Sequence, residues 1–352
     1  MYIPTLMIPR DATTEDEDWS VYFYTPSLPA SIIFATLYTI PFCYHAYISY
    51  TAYRAPARTK YFRYSYSAPL LIAALVEVNG YAQRTGSTQK VQDVGLFATS
   101  QTMIVLAPVL VCASLYILLS RVILLTATRS QSRSLFSVEG MEVEEPAETP
   151  RILFGALKVT SLPRIFIALD VGAMLTQGGG SGIAAAGEWE GTLERIGTGV
   201  LIGGLALQVA TFSVFLIVVV KFHRDALRTP EGAPAGTMDE GMRMVLRGVY
   251  IAGFFIMIRS IFRLIEFALG TDSYIMTNEW PIYVLEGVPM FIAFMVLGWY
   301  HPSRWLSAAI AGESKAGAWL DRHRRRNLPG GYARISRGMI FSKYLSPDFP
   351  PR

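Results

Sequence analysis

Three ionisable residues lie in one apolar stretch of the sequence, and their spacing places them on one side of a helix. Arg259, Arg263 and Glu266 follow one another at intervals of four and three residues within MVLRGVYIAGFFIMIRSIFRLIEFALG. Side chains three or four positions apart share a helix face. At membrane depth an ionised group costs several kcal/mol unless it is paired or hydrated. The three residues therefore either join helices through ion pairs or line a polar cavity that receives a charged ligand.

Further polar residues interrupt other apolar stretches, and together they define the candidate ligand site. Its residues are Glu77, Tyr81, Arg84, Asp170, Gln177, Gln208, Arg259, Arg263, Glu266 and Glu286. Its carboxylates outnumber its arginines, so one or two acids lack an obvious partner. Such an acid is a candidate to titrate or to bind a cationic headgroup. We expect Arg263 and Glu266 to serve structure and Arg259 to serve the site.

The composition indicates that membrane helices position these residues. Of 352 residues, 52% are hydrophobic and 16% are charged, whereas soluble domains carry about 25% charged residues. The apolar residues cluster in runs of roughly 20, the length that crosses the hydrocarbon core. The sequence predicts an all-α polytopic membrane protein, a bundle of seven transmembrane helices. The predicted spans are Leu28–Tyr50, Ser65–Tyr81, Val94–Thr126, Leu162–Gln177, Ile196–Val220, Met244–Leu269 and Trp280–Tyr300.

Basic residues between the spans predict the orientation. They concentrate in the connections after the first, third and fifth spans and in the tail, which carries His-Arg-Arg-Arg at 323–326. The positive-inside rule then places the N-terminus outside and the C-terminus in the cytosol. This arrangement requires the fourth span, which at about 16 residues with Asp170 near its middle is the weakest by hydropathy.

Three regions follow from this topology. Residues 1–27 form an acidic extracellular segment, residues 28–300 the transmembrane domain, and residues 301–352 a basic cytosolic tail. We expect the acidic, proline-containing loop at about 128–160 to be mobile. Topology accounts for the net charge of +4, so nucleic acid is not an expected partner.

Two features could allow the bundle to open. Pro108 interrupts the hydrogen-bond ladder of the third span and predicts a kink with a gating role. Gly178, Gly179 and Gly180 follow the fourth span within QGGGSG. They are interpreted either as a flexible turn that ends the helix or as a hinged lid over the cavity.

Several known chemistries are disfavoured. The last span has no lysine for a retinal Schiff base, and no Walker motif is present. His45, His223 and His301 lie on separate spans without the paired spacing of a zinc site, and whether they bind anything stays open. We expect no catalytic residue, metal or cofactor.

Six short motifs occur along the chain in a fixed order: EVNGYAQR (77–84), LAPVLVCASLYILLSRVI (106–123), DVGAMLTQGGG (170–180), GGLALQ (203–208), IRSIFRLIEFALG (258–270) and HPS (301–303). This ordered set resembles the fungal lipid-translocating exporter family, seven-helix proteins that include yeast aminocholesterol-resistance and sphingoid long-chain-base-resistance members. One departure is Glu286, at a position where the family pattern leads us to expect a shorter acidic residue. The resemblance implies a role in moving or tolerating amphipathic lipids at the plasma membrane, with an internal membrane as the alternative location.

The residues and the resemblance together predict binding and translocation or release of an amphipathic lipid, such as a sphingoid base. Its headgroup is expected against Glu77, Asp170 and Glu286, with Arg259 and Arg263 holding those acids ionised or contacting a phosphate. The expected partners are membrane lipids and an amphipathic small molecule, and a homo-oligomer is left open. The alternative is a seven-helix sensor that signals through the cytosolic loops and tail. An intramembrane metal-dependent hydrolase is a third, weaker alternative.

Overall fold

The part of the chain that the structure describes is almost entirely helical. The computed structural model describes residues 20–22, 24–54, 57–137, 151–152, 157–186, 191–227, 240–270 and 273–306. The long helices are α1 (Leu28–Arg54), α2 (Ala57–Gln89), α3 (Val94–Ser137), α4 (Leu162–Ala186), α5 (Gly191–Leu227) and α6 (Glu240–Ala268). They are followed by α7 (Tyr274–Thr277), a π-helical segment (Ile282–Gly287), α8 (Val288–Trp299) and α9 (Pro302–Trp305). Ahead of α4 lie an antiparallel pair of two-residue strands, β1 (Arg151–Ile152) and β2 (Leu157–Lys158), and a 3₁₀ turn (Val159–Ser161).

Six segments are long and apolar enough to cross a membrane. They are Leu28–Thr51, Val94–Thr126, Val159–Ala186, Gly191–Leu227, Glu240–Ala268 and Ile282–Trp305. Each overlaps one of the predicted spans, so the protein is a multi-pass helical membrane protein. The predicted second span is the exception, because polar residues such as Glu77, Gln83 and Arg84 lower the apolarity of α2. Helix α2 nevertheless packs extensively against both α1 and α3.

Contacts at the helix ends show that consecutive long helices run antiparallel. At one end, Tyr22 ahead of α1 donates a hydrogen bond to Ser87 late in α2 (2.8 Å). At the other end, Ser67 early in α2 lies 2.8 Å from His301, which follows α8. We call these the Tyr22 end and the His301 end of the bundle.

Exposed aromatic side chains mark both ends. Tyr274 and Trp280 are exposed near the Tyr22 end, and Tyr47, Tyr50 and Trp299 near the His301 end. Tyrosine and tryptophan are enriched where a bilayer meets water. Their positions on the outside of the bundle are those expected of two interfacial belts.

Three predicted boundaries change. The fourth span is a 25-residue helix, not a short one ending at Gln177, and α3 continues to Ser137, past the predicted loop start near 128. The predicted tail begins at His301, yet His301, Pro302 and Leu306 are buried, and a side chain at Gly241 of α6 would collide with the Trp305 carbonyl. The acidic segment 1–19, the loop residues 138–150 and the tail from 307 lie outside the described residues.

Candidate functional site

A buried group of charged side chains forms where α2, α6 and the π-helical segment approach one another. We call Glu77, Arg259, Arg263, Glu266 and Glu286 the central charged cluster. Arg259 Nη2 donates to Glu286 Oε1 at 2.6 Å. Arg263 Nη1 donates to Glu266 Oε2 at 2.8 Å and lies 3.6 Å from Glu286 Oε2. Two arginines are thus matched by two glutamates, and Glu286 connects both cations.

The proline of α3 explains a further contact of Arg259. Pro108 has no N–H, so the carbonyl of Ile104, four residues earlier, has no helix donor. Arg259 Nη2 donates to that carbonyl oxygen at 3.1 Å. Helix α3 itself continues through Pro108. The residue singled out as a hinge therefore exposes an acceptor that the central charged cluster uses.

Glu77 is the surplus acid of the cluster. It is 1% exposed, and it forms no ion pair with a side chain that the structure describes. Its Oε2 is buried without a hydrogen-bond partner, as are Tyr81 Oη one turn further along α2 and Glu286 Oε2. A buried polar atom without a partner is costly. These oxygens can therefore accept a hydrogen bond from a ligand or from water, and the carboxylate oxygens can also bind a proton.

Glu286 is held by an irregular turn. Residues Ile282–Gly287 are π-helical, and the Val288 N–H donates to the Tyr283 carbonyl five residues earlier. Pro289 follows directly and has no N–H for the ladder. Tyr38 of α1 donates to the Gly287 carbonyl at 2.7 Å and holds the turn in place. Single π-helical turns are frequent at functional sites because they redirect side chains.

A second polar group lies at the Tyr22 end. We call Arg84, Glu279, Tyr24 and Tyr283 the end cluster. Arg84 Nη2 donates to Tyr24 Oη (2.7 Å) and Glu279 Oε1 (3.2 Å), and its Nε donates to Tyr283 Oη (3.2 Å). Arg84 Nη1 is buried without a hydrogen-bond partner. Burial raises the pKa of Tyr24, which precedes α1, so its hydroxyl stays protonated.

Asp170 does not join either arginine of the central charged cluster. Tyr116 of α3 donates to Asp170 Oδ2 at 2.6 Å, and Oδ1 is buried without a hydrogen-bond partner. Asp170, Glu77 and Glu286 are the three candidate ion-pair partners that the sequence offers Arg259 and Arg263. Among the described side chains both arginines contact Glu286, and neither pairs with Asp170. Asp170 instead joins α4 to α3.

Gln177 and Gln208 also lie on a different pair of helices. Gln177 Nε2 of α4 donates to Gln208 Oε1 of α5 at 2.9 Å. The two amides face each other and tie α4 to α5, since a polar pair in a bundle interior satisfies its own hydrogen bonds.

The predicted turn at Gly178, Gly179 and Gly180 is wrong, because all three residues lie inside α4. Gly180, with Gly197 and Gly204 of α5, forms what we call the glycine seam. A Cβ at Gly180 would lie 2.5 Å from the Leu201 amide nitrogen, and one at Gly197 would collide with the Ala184 nitrogen. Gly178 and Gly179 lie outside the seam, and a Cβ at either position would have no neighbouring atom within 4 Å. The run packs two helices at backbone contact.

The three histidines that the structure describes lie in separate places. His45 Nε2 lies 3.0 Å from the Phe294 carbonyl, His223 Nδ1 3.1 Å from Tyr250 Oη, and His301 Nε2 2.8 Å from Ser67 Oγ. Among the residues the structure describes, no group of three or more His, Cys, Asp or Glu side chains could hold a metal.

Sequence reasoning missed the tyrosines that complete these clusters. Tyr283 lies four residues after Glu279 and three before Glu286, so helical spacing could have placed it between them. Tyr116 lies eight residues after Pro108, with no local signal that it meets Asp170. Glu279 lies one residue before the predicted last span, and its spacing along the chain gives no sign that it pairs with Arg84.

The sequence matches one protein-family model, described as RTA1 like protein, over residues 70–139 and 153–309. The chain belongs to the RTA1-like family. The resemblance given by the ordered motifs is thereby confirmed. The matched residues include both the central charged cluster and, apart from Tyr24, the end cluster.

Several relatives come from Saccharomyces cerevisiae. Protein RTM1 is 26% identical over 309 residues, 79% of this chain and 90% of the relative. Protoporphyrin uptake protein 1 is 24% identical, over 80% of this chain and 92% of the relative. Sphingoid long-chain base transporter RSB1 is 23% identical, over 68% of this chain and 65% of the relative. No solved structure matches the chain.

Proposed function

We propose that this RTA1-like protein binds the ammonium headgroup of an amphipathic lipid at the central charged cluster and moves the lipid across or out of the membrane. The observation that carries the proposal is Glu77, a buried carboxylate beyond those that Arg259 and Arg263 neutralise. A ligand cation would complete the charge balance. The energetic cost of a buried unpaired carboxylate makes such a ligand favourable.

The free oxygens of the cluster suit an ammonium group. A primary ammonium has three donors and no acceptor. Glu77 Oε2, Tyr81 Oη and Glu286 Oε2 supply three buried acceptors without hydrogen-bond partners. Of these, Glu286 Oε2 also lies 3.6 Å from Arg263 Nη1. The apolar tail of the ligand would remain among lipid, where the exposed faces of the helices are apolar, as at Ile72 and Leu75 of α2.

The relatives support this class of ligand. One is named as a transporter of sphingoid long-chain bases, which are amphipathic amines. The proposed setting is the plasma membrane, with seven crossings and the His301 end in the cytosol. The described basic residues favour this orientation. Near the Tyr22 end lie Arg84, Lys90 and Arg195, and near the His301 end lie Arg54, Arg164, Lys221, Arg224, Arg243, Arg247 and Arg304.

A second candidate is an amphipathic carboxylate. Arg84 Nη1 is a buried donor without a hydrogen-bond partner, and the guanidinium lies over the Tyr22 and Tyr283 rings at 5.6 and 5.4 Å. An anionic group could accept from this nitrogen. A relative named for protoporphyrin uptake is compatible with such a ligand.

Reconstitution tests the proposal. We expect the purified protein to accelerate transfer of a fluorescent sphingoid base between liposome leaflets. Transfer of an uncharged N-acetyl derivative should be accelerated little. Glu77→Gln should lower the accelerated rate at least tenfold, a loss of about 1.4 kcal/mol or more in ligand or transition-state binding. Glu240→Gln, which changes an exposed carboxylate at the His301 end, is the matched control.

Each competing outcome has its own consequence. Equal acceleration of the amine and its N-acetyl derivative would contradict recognition at a carboxylate. Acceleration of a fluorescent porphyrin, lost in Arg84→Gln and kept in Glu77→Gln, would favour the second candidate. A protein that binds the amine without moving it, and whose cellular resistance phenotype requires residues 307–352, would favour the sensor.

A further inference from the structure

The charges of the central charged cluster do not balance, because one negative charge is left without a paired cation among the described residues. Arg259 and Arg263 carry two positive charges, and Glu286 and Glu266 neutralise them at 2.6 and 2.8 Å. Glu77 adds a third carboxylate with no third cation among the described neighbours. An ionised carboxylate that is buried and unpaired within a membrane bundle is strongly disfavoured. Without a ligand, the least costly way to remove that charge is to add a proton.

We infer that Glu77 is an exchangeable proton site, and that the ammonium group of the ligand displaces this proton when it binds. The inference rests on the function proposed above and adds its coupling ion. When the ligand binds, the Glu77 O–H bond breaks and the proton leaves to water. The carboxylate then pairs with the ammonium group, so the net charge of the site does not change.

The groups facing Glu77 come from every side of the site. Tyr38 of α1, Tyr81 of α2, Arg259 of α6 and Glu286 of the π-helical segment interact with it electrostatically. Arg259 is already bound to Glu286 and to the Ile104 carbonyl. It therefore cannot fully neutralise Glu77 as well. The tyrosines are neutral donors and acceptors that can pass a proton.

A row of hydroxyl groups leads from Glu77 toward the Tyr22 end. Tyr81 lies one turn beyond Glu77, and its ring stacks with the Tyr283 ring at a centroid distance of 6.4 Å. Tyr283 Oη donates to Glu279 Oε1 at 3.0 Å. The Glu279 side chain is 12% exposed, so the row reaches the surface at that end. Glu77 Oε2 and Tyr81 Oη have no hydrogen-bond partners among the described residues, so the row is not a continuous hydrogen-bonded path. Water between these groups would have to complete it for the proton to leave toward the compartment that the Tyr22 end faces.

Isothermal titration calorimetry measures how many protons are released when the ligand binds. We would titrate the detergent-purified protein with a short-chain sphingoid base in two buffers of different ionisation enthalpy. At a pH of about 6.5 a primary ammonium group, with an ordinary pKa of about 10, stays protonated. We expect release of about one proton per ligand, and an apparent Kd that rises about tenfold for each unit of pH decrease while Glu77 is protonated.

Two variants locate the proton. In Glu77→Gln the remaining binding should release no proton and lose its pH dependence. Asp170→Asn changes the other buried carboxylate that has an unpartnered oxygen, outside the cluster, and should keep both. Binding by the wild type without proton release would overturn the inference and leave the proposed function standing. Loss of release in Asp170→Asn, with release kept in Glu77→Gln, would also overturn it.

Infrared spectroscopy tests whether Glu77 is protonated, and it does so without any ligand. A carboxylic acid absorbs at a different frequency from a carboxylate. The ligand-free wild type should show a carboxylic acid absorption that Glu77→Gln lacks. If the wild type binds no amine, the proposed function and the exchange both fail, while this absorption still tests the proton. Identical absorption in the two proteins would exclude a protonated Glu77.

Discussion

Glu77 and Glu286 are buried glutamates of one cluster, yet replacing each by glutamine should affect stability differently. The reason is that, of the two, only Glu286 forms an ion pair with a described side chain. Glu286→Gln leaves Arg259 as a buried cation without its 2.6 Å partner. Breaking a buried pair by removing one partner costs about 3–5 kcal/mol. Glu77→Gln removes an unpaired acid, so the free energy of unfolding should change by less than about 1 kcal/mol or rise. Unfolding of the purified protein in mixed micelles measures both values.

Glu77→Gln and Glu286→Gln are matched variants, because both replace a buried carboxylate by an amide of the same size. An equal and large loss of stability in the two variants would show that Glu77 is also part of an ion pair. Charge pairing at this scale was partly predictable. The stripe formed by Arg259, Arg263 and Glu266 follows from helical spacing, whereas the link of Arg259 to the Ile104 carbonyl depends on how α3 and α6 approach.

At the scale of helices, the glycine seam fixes how α4 and α5 meet. A Cβ at Gly180 would lie 2.5 and 2.6 Å from backbone atoms of Leu201 and Gly197. Backbone cannot move aside cheaply, so we expect Gly180→Ala to destabilise the protein by roughly 1–3 kcal/mol. Gly179→Ala has open space and should be neutral or stabilise by up to about 1 kcal/mol, the helix propensity difference. Thermal unfolding in detergent compares the two.

If both substitutions were equally harmless, the close approach of α4 and α5 would be contradicted. The same seam shows why the sequence was misinterpreted here. Glycine runs usually indicate turns, because glycine weakens isolated helices in water. In a membrane bundle small residues instead permit close helix packing. The run QGGGSG carries both meanings, and only the partner glycines Gly197 and Gly204 distinguish them.

At the scale of the whole molecule, composition sufficed to predict six apolar membrane-spanning helices, whereas the second span and the orientation from loop charge stay predictions. Composition and loop charge could not reveal the π-helical segment, because IYVLEG followed by Pro289 has no periodicity that distinguishes it from an ordinary helix. They also could not show that Asp170 and the Gln177–Gln208 pair serve other interfaces. Those positions depend on which helices are neighbours, and the spacing of residues within one helix does not determine that.

Helix α2 is where average apolarity and packing give different answers about the topology. Between residues 70 and 84 its charged residues, Glu77 and Arg84, are buried among protein. The exposed residues of the same stretch are Ile72, Leu75, Ala82 and, as the polar exception, Asn79. A helix whose charges face its neighbours can cross a bilayer. We therefore expect α2 to span the membrane, although its average composition falls short of the other six.

Cysteine labelling tests the crossing of α2. Arg54 and Lys90 are exposed residues just outside the two ends of the crossing, and single cysteines there can be introduced after Cys43→Ser, since Cys112 is buried. In intact cells a membrane-impermeant maleimide should label Lys90→Cys, whereas Arg54→Cys should react only after permeabilisation. Labelling of both from the same side would mean that α2 does not cross. The Tyr22 end would then lose its place as the outer mouth of the site, because every later helix would reverse direction.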